Sequence, residues 1–111
     1  MNKERLTVLA NHLRTVAPEN FDLSRWSCGP VGCAVGHACT IPEFQAEGLR
    51  LSWARPHPPE YAGSSSWPAV RAFFGLTSEQ ADSLFDSEHY PPRAGPDNVA
   101  DSIDEFVRSE A

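Results

Sequence analysis

The stretch Pro30-Val31-Gly32-Cys33-Ala34-Val35-Gly36-His37-Ala38-Cys39 decides how the chain is read. Proline suits the first position of a helix, where its missing N–H is no loss, so the run predicts a helix over residues 31–39. Its side chains are small, with Gly32 and Gly36 one turn apart and Ala34 and Ala38 likewise. A glycine inside a helix costs roughly 0.5–1 kcal/mol relative to alanine. Close approach of another element would offset that cost, which makes this helix the expected centre of the fold.

Working outward, Leu6, Leu9, Leu13 and Val16 recur at helical spacing and predict an amphipathic helix over residues 3–17, ended by Pro18. Phe21, Leu23 and Trp26 supply apolar anchors for a short packed turn. Downstream, Thr40-Ile41-Pro42-Glu43 reads as a capping box opening a short helix that Gly48 stops. Leu49, Leu51 and Trp53 alternate with Arg50 and Ser52, the pattern of a half-buried strand. With a partner near residues 60–62 it predicts a small two-stranded β-hairpin over residues 49–62. Trp67, Val70, Phe73 and Phe74 mark a helix capped by Ser66 and closed by Gly75. Thr77-Ser78-Glu79-Gln80 is a second capping box, with Leu76 placed to staple onto Ala81, and its helix should end near Phe85. Asp97 is the expected cap of a last helix whose stripe is Val99, Ile103, Phe106 and Val107. The fold expected is mainly α: five or six short helices around the glycine/alanine-rich helix, with a small two-stranded hairpin. Trp26, Trp53, Trp67, Phe73, Phe74 and Phe106 are expected to fill in around that helix, and residues 1–111 to form one domain.

Composition agrees with that reading. A chain of 111 residues with 41% hydrophobic residues can supply one core. Ten prolines and seven glycines keep helices short. The net charge of −6 and the lack of any Lys/Arg run speak against binding to nucleic acid or to an anionic membrane surface. The amphipathic start lacks the apolar core of a signal peptide, and no stretch approaches the ~18 apolar residues of a membrane span, so a cytoplasmic protein is expected. Three cysteines in one short segment are an odd count and unlike a secreted disulfide framework.

The same segment holds the candidate chemistry, and it can be read three ways. As a zinc site, Cys33 and His37 share a helix face and Cys28 lies in the preceding turn. Cys39 is rotated by about 240° from Cys33 and faces away, so a fourth ligand would have to come from His12, His57 or His89. As a thiol catalyst, Cys28 would sit before a helix N-terminus, where the dipole lowers a thiol pKa, with His37 as base. As packing, the cysteines act as small hydrophobes beside Gly32, Gly36 and Ala34, and no cofactor is implied. The packing reading is preferred.

Binding candidates lie elsewhere. The Pro-rich loop at residues 55–61, with Trp53, His57 and Tyr61, and the Tyr90-Pro91-Pro92 segment present rigid backbone beside aromatic rings. They suggest a non-enzymatic binding or regulatory module, with a protein partner or a second copy of the chain as the target. The serines of Ala62-Gly63-Ser64-Ser65-Ser66 lack a nucleophile-elbow pattern and read as turn and cap residues. Asp86, Glu88 and His89 lack the spacing of a calcium loop.

Trp26, Cys28-Gly29, Cys33-Ala34 and Gly36-His37-Ala38, followed by Phe74-Gly75-Leu76-Thr77, Gln80-Ala81 and Leu84-Phe85, form a further pattern. It resembles a group of small uncharacterised bacterial and phage proteins with a Trp-x-Cys-Gly-Thr-x-x-Cys-x-x-Gly-His/Trp-Ala segment and a later Phe-Gly-Leu-Thr helix. The resemblance covers most residues from Phe21 to Val107 and implies one continuous domain, without implying an activity. Pro30 departs from the group's threonine, and its alternation of His and Trp at the position of His37 argues against an obligatory ligand there.

Overall fold

The computed structural model describes residues 1–23, 26–28, 31–54, 56–91 and 94–109, with Ser27 and Cys28 described in backbone only. Among these residues the chain runs α1 (Lys3–Leu13), β1 (Ser27–Cys28), β2 (Val31–Gly32), α2 (Ala34–Ala38), α3 (Pro42–Ala46), β3 (Arg50–Leu51), β4 (Pro59–Tyr61), β5 (Ser64–Ser65), α4 (Trp67–Phe74), α5 (Ser78–Phe85) and α6 (Pro96–Ser109). Single 3-10 turns at Pro18–Asn20 and Ser87–His89 complete it. It is mostly helical, as the periodicity predicts.

The core is built on α1 rather than on the glycine-rich segment. Leu6, Leu9, Ala10 and Leu13 of α1 are wholly buried, and the most extensive helix contact joins α1 to α6, whose Val99, Ala100 and Ile103 are equally buried. Asn2 caps α1, its Oδ1 accepting the amide of Arg5 at 3.0 Å. The helix stops at Leu13, short of the expected residue 17, because the amides of Thr15 and Val16 tighten onto the carbonyls of His12 and Leu13. Outside the core, Arg14 reaches Asp101 at 2.9 Å and Asp104 at 2.7 Å on α6, an exposed arrangement that orients more than it stabilises.

The predicted helix over 31–39 begins three residues late. Val31 and Gly32 instead pair antiparallel with Cys28 and Ser27, and Phe21 bridges to Gly32. Cys33 then takes the N-cap in extended backbone, its sulfur accepting the amide of Gly36 at 3.4 Å. Pro30, on which the predicted start at residue 31 rests, lies outside the described residues. The capping box at Thr40 is also absent, since that hydroxyl donates back to the carbonyl of His37 at 2.7 Å and leaves Ile41 as an N-cap without a side-chain bond. At Thr77 the box forms in full: Thr77 Oγ1 accepts the Gln80 amide at 3.1 Å and Gln80 Oε1 accepts the Thr77 amide at 3.0 Å. Asp97 is not a cap but lies in the first turn of α6, which begins at Pro96.

The hairpin forms with two corrections. It has a third strand, with order β3-β4-β5 and all pairs antiparallel. Ala62 and Gly63, both at positive φ (51° and 83°), make the two-residue turn from β4 to β5, the type I′ geometry that matches strand twist. Strand β3 covers only Arg50 and Leu51, because Leu49 is committed to closing α3: its amide bonds the Phe44 carbonyl while that of Gly48 bonds Gln45. Trp53 therefore falls beyond the strand and is 91% exposed rather than part of the core.

Gly75 closes α4 in the left-handed region at φ 65°, with the Leu76 amide on the Arg71 carbonyl. A Cβ there would lie 3.2 Å from the Met1 Cα, whereas at Gly63 (φ 83°) it would meet nothing within 4 Å. Gly75→Ala and Gly63→Ala should each lose about 1–2 kcal/mol from left-handed strain. Gly75→Ala should lose more of the two, as thermal or urea unfolding of both variants will show.

Candidate functional site

Two regions carry most of the residues singled out from the sequence. The first is the connection from β3 to β4. Prolines at 56, 58 and 59 restrict its backbone, and hydrogen bonds close it from both sides. The Ser52 amide donates to the Pro58 carbonyl at 2.8 Å, and the His57 amide to Ala54 at 2.9 Å. His57 Nδ1 donates to the Ser52 carbonyl at 2.9 Å, and the Ala54 amide donates to Ser52 Oγ at 3.3 Å. His57 thus acts as an internal brace. Trp53 stands out of this pinned loop with almost its whole indole in solvent.

Tyr61 is tied to the interior instead. Its ring meets Phe73 edge-on at 5.0 Å and lies 5.7 Å from the Arg5 guanidinium. It also lines a groove of about 570 Å3 with Gln45, Gly48, Arg50 and Glu60, where Arg50 and Glu60 pair across the strands at 3.2 Å. Tyr90 belongs to a separate segment; its hydroxyl donates to the Leu84 carbonyl at 2.7 Å, and burial pushes its pKa up. The structure therefore puts Trp53 and His57 in one loop, Tyr61 on the adjoining strand, and Tyr90 in a packing role away from them.

The second region is the Cys/His segment. Cys33 and Cys39 are both buried free thiols, 4% and 3% exposed. Desolvation raises the Cys33 thiol to about 11 and the Cys39 thiol to about 12, although the Gly36 amide pulls Cys33 the other way. Both are neutral at physiological pH, the opposite of what nucleophilic thiol chemistry needs. Strand β1 holds Cys28, so it does not precede a helix N-terminus, and its side chain lies outside the described residues. His37 donates through Nε2 to the Asn20 carbonyl at 2.7 Å, and its ring stacks 6.1 Å from Phe21. Among the described residues no three His, Cys, Asp or Glu side chains are grouped to hold a metal ion. Sequence spacing did not reveal that α1 brings His12 toward His37. Burial and, secondarily, repulsion from His37 lower the pKa of His12.

Comparison with family models, with curated proteins and with solved structures finds no match to this chain. No helix among the described residues is long and apolar enough to cross a membrane.

Two measurements check this geometry. A thiol reagent at pH 8 should leave Cys33 and Cys39 unlabelled in the native protein and modify both after denaturation, read by peptide mapping. Because the folded pKa of His12 lies below its ordinary 6.5, the unfolded chain binds more protons and stability rises with pH. The contribution should be complete above pH 6.5 and fall away as pH drops through the folded pKa. His12→Gln should flatten that part of the pH–stability curve.

Proposed function

We propose that the protein is a non-enzymatic protein-binding module whose main contact is Trp53. One observation carries the reading: a tryptophan 91% exposed on a loop braced at both ends. An exposed indole contributes nothing to the fold it leaves, and it is among the side chains that most often dominate protein interfaces. The loop's hydrogen bonds and prolines hold its backbone before any partner arrives, so little ordering entropy remains to oppose binding. The net charge of −6 gives a field that favours a partner with a basic rim around an apolar pocket and opposes close approach of a second copy.

Trp53→Ala should leave thermal stability unchanged, since no core contact is lost. Affinity capture from cells of origin, run in parallel with wild type and Trp53→Ala, should recover a protein with the first bait and not the second. Once purified, that partner should bind the variant about 30-fold more weakly, the equivalent of a ~2 kcal/mol hot spot. If both baits recover the same proteins with equal affinity, or if wild type is monomeric and recovers nothing, the proposal fails.

A further inference from the structure

A cavity distinct from the hairpin loop lies where Leu23, Trp26 and Cys33 meet the start of α4 and the end of α5. Its volume is about 330 Å3, and its walls are mainly Trp26, Trp67, Leu23, Phe85 and Cys33, with Asp86 and Ser87 at the polar side. The two indoles touch edge to face, centroids 5.3 Å apart at 61°, and each is only half-buried. Phe85 and Cys33 are buried beneath.

Asp86 is the single charged side chain among the described residues lining this cavity. Its Oδ1 accepts the Glu88 amide at 3.0 Å, and no Lys, Arg or His among the described residues forms an ion pair with it. The dipoles nearby do not alter the sign: α4 starts at Trp67 and α5 ends at Phe85, so their partial charges oppose. The Cys33 thiol stays neutral. What remains, among the described residues, is a recess walled by two indoles, Leu23, Phe85 and Cys33, with one negative charge at its polar side.

That combination selects a particular chemistry. Aromatic faces attract cations through the ring quadrupole, tryptophan most strongly. A primary ammonium gives up strong hydration when its hydrogens turn toward indole and aliphatic walls, whereas a methylated one carries its charge inside an apolar shell that suits Trp26, Trp67, Leu23 and Phe85. A group bearing a carboxylate would meet Asp86 as a like charge. The volume sits at the low end of the roughly 300–1,000 Å3 of small-molecule sites, which favours a free small molecule over a peptide side chain with its backbone. We propose that this cavity binds a small quaternary ammonium cation without an anionic group, of the size of choline.

The test is a titration with choline chloride, at constant ionic strength and with selective indole excitation, of a Trp53→Phe variant, in which Trp26 and Trp67 are the remaining tryptophans. Saturable quenching is expected with choline. Its neutral isostere 3,3-dimethylbutanol and the zwitterion glycine betaine should bind at least about tenfold more weakly, a difference of about 1.4 kcal/mol. Asp86→Asn keeps an oxygen to cap the Glu88 amide, so it should fold with unchanged circular dichroism and still lose about tenfold in choline affinity. Equal binding of the neutral isostere overturns the proposal, as does a folded Asp86→Asn variant with undiminished affinity. So does a trimethyllysine peptide that binds where choline does not.

Discussion

The ring of Phe73 is where the helices and the small sheet are tied to one another. Phe44 of α3 meets it edge-on at 4.9 Å, Tyr61 of β4 at 5.0 Å and Phe74 at 5.0 Å. Arg5 of α1 covers it, the guanidinium carbon 4.0 Å from the centroid, and donates to the Phe73 carbonyl at 2.7 Å. Each aromatic pair adds about 0.5–1.5 kcal/mol beyond the area it buries. The ion pair from Arg5 to Glu47, 2.7 Å long but half-exposed on the acidic side, orients the guanidinium more than it stabilises the fold. Three other elements, α1, α3 and β4, address this one side chain of α4, so none can shift without disturbing the others.

This arrangement explains how a sheet of such short strands keeps a defined position. Strands of two and three residues cannot stand alone. Here β4 and β5 lie against α4, and Tyr61 anchors the middle strand to the aromatic cluster. The exposed loop is thus mounted on a fixed base, which is how irregular segments come to carry recognition. The aromatic recess at Trp26 and Trp67 draws on different segments, and the Trp53 loop and the recess can act without reference to each other.

Much of the helical architecture was legible because its signals are local. The Gly75 stop, the Thr77/Gln80 box, the end of α5 at Phe85 and the buried Val99 and Ile103 face of α6 all follow from residues a turn or two apart. The errors arose where one residue had two options. Thr40 could cap forward or bond backward and took the carbonyl of His37. Val31 and Gly32 fit a strand as well as a helix, since so short a run has no period to decide by, and a thiol took the cap that a hydroxyl usually fills. Strand β5 is two serines with no apolar alternation, preceded by an alanine where a type I′ turn prefers asparagine or glycine. Of the candidate sites, the Trp53 loop could be found from its prolines and aromatics. The recess could not, because only the tertiary fold brings Trp26 against Trp67.

Among the described residues three non-glycine residues adopt positive φ, and all flank the small sheet: His57 at 62°, Ala62 at 51° and Ser66 at 62°. Ser66, with ψ at −142°, occupies a region that is almost the preserve of glycine. An unfolded chain seldom visits such states, so the hairpin has little tendency to assemble by itself and must be shaped by docking onto α4. In kinetic terms it should be a late-forming unit, condensing after the helices and opening before them. Amide hydrogen exchange would then divide the molecule in two, with slow protons in α1 and α6 and fast ones in β3, β4 and β5. The loop that presents Trp53 would be held firmly on the timescale of an encounter, yet released whenever the sheet lets go.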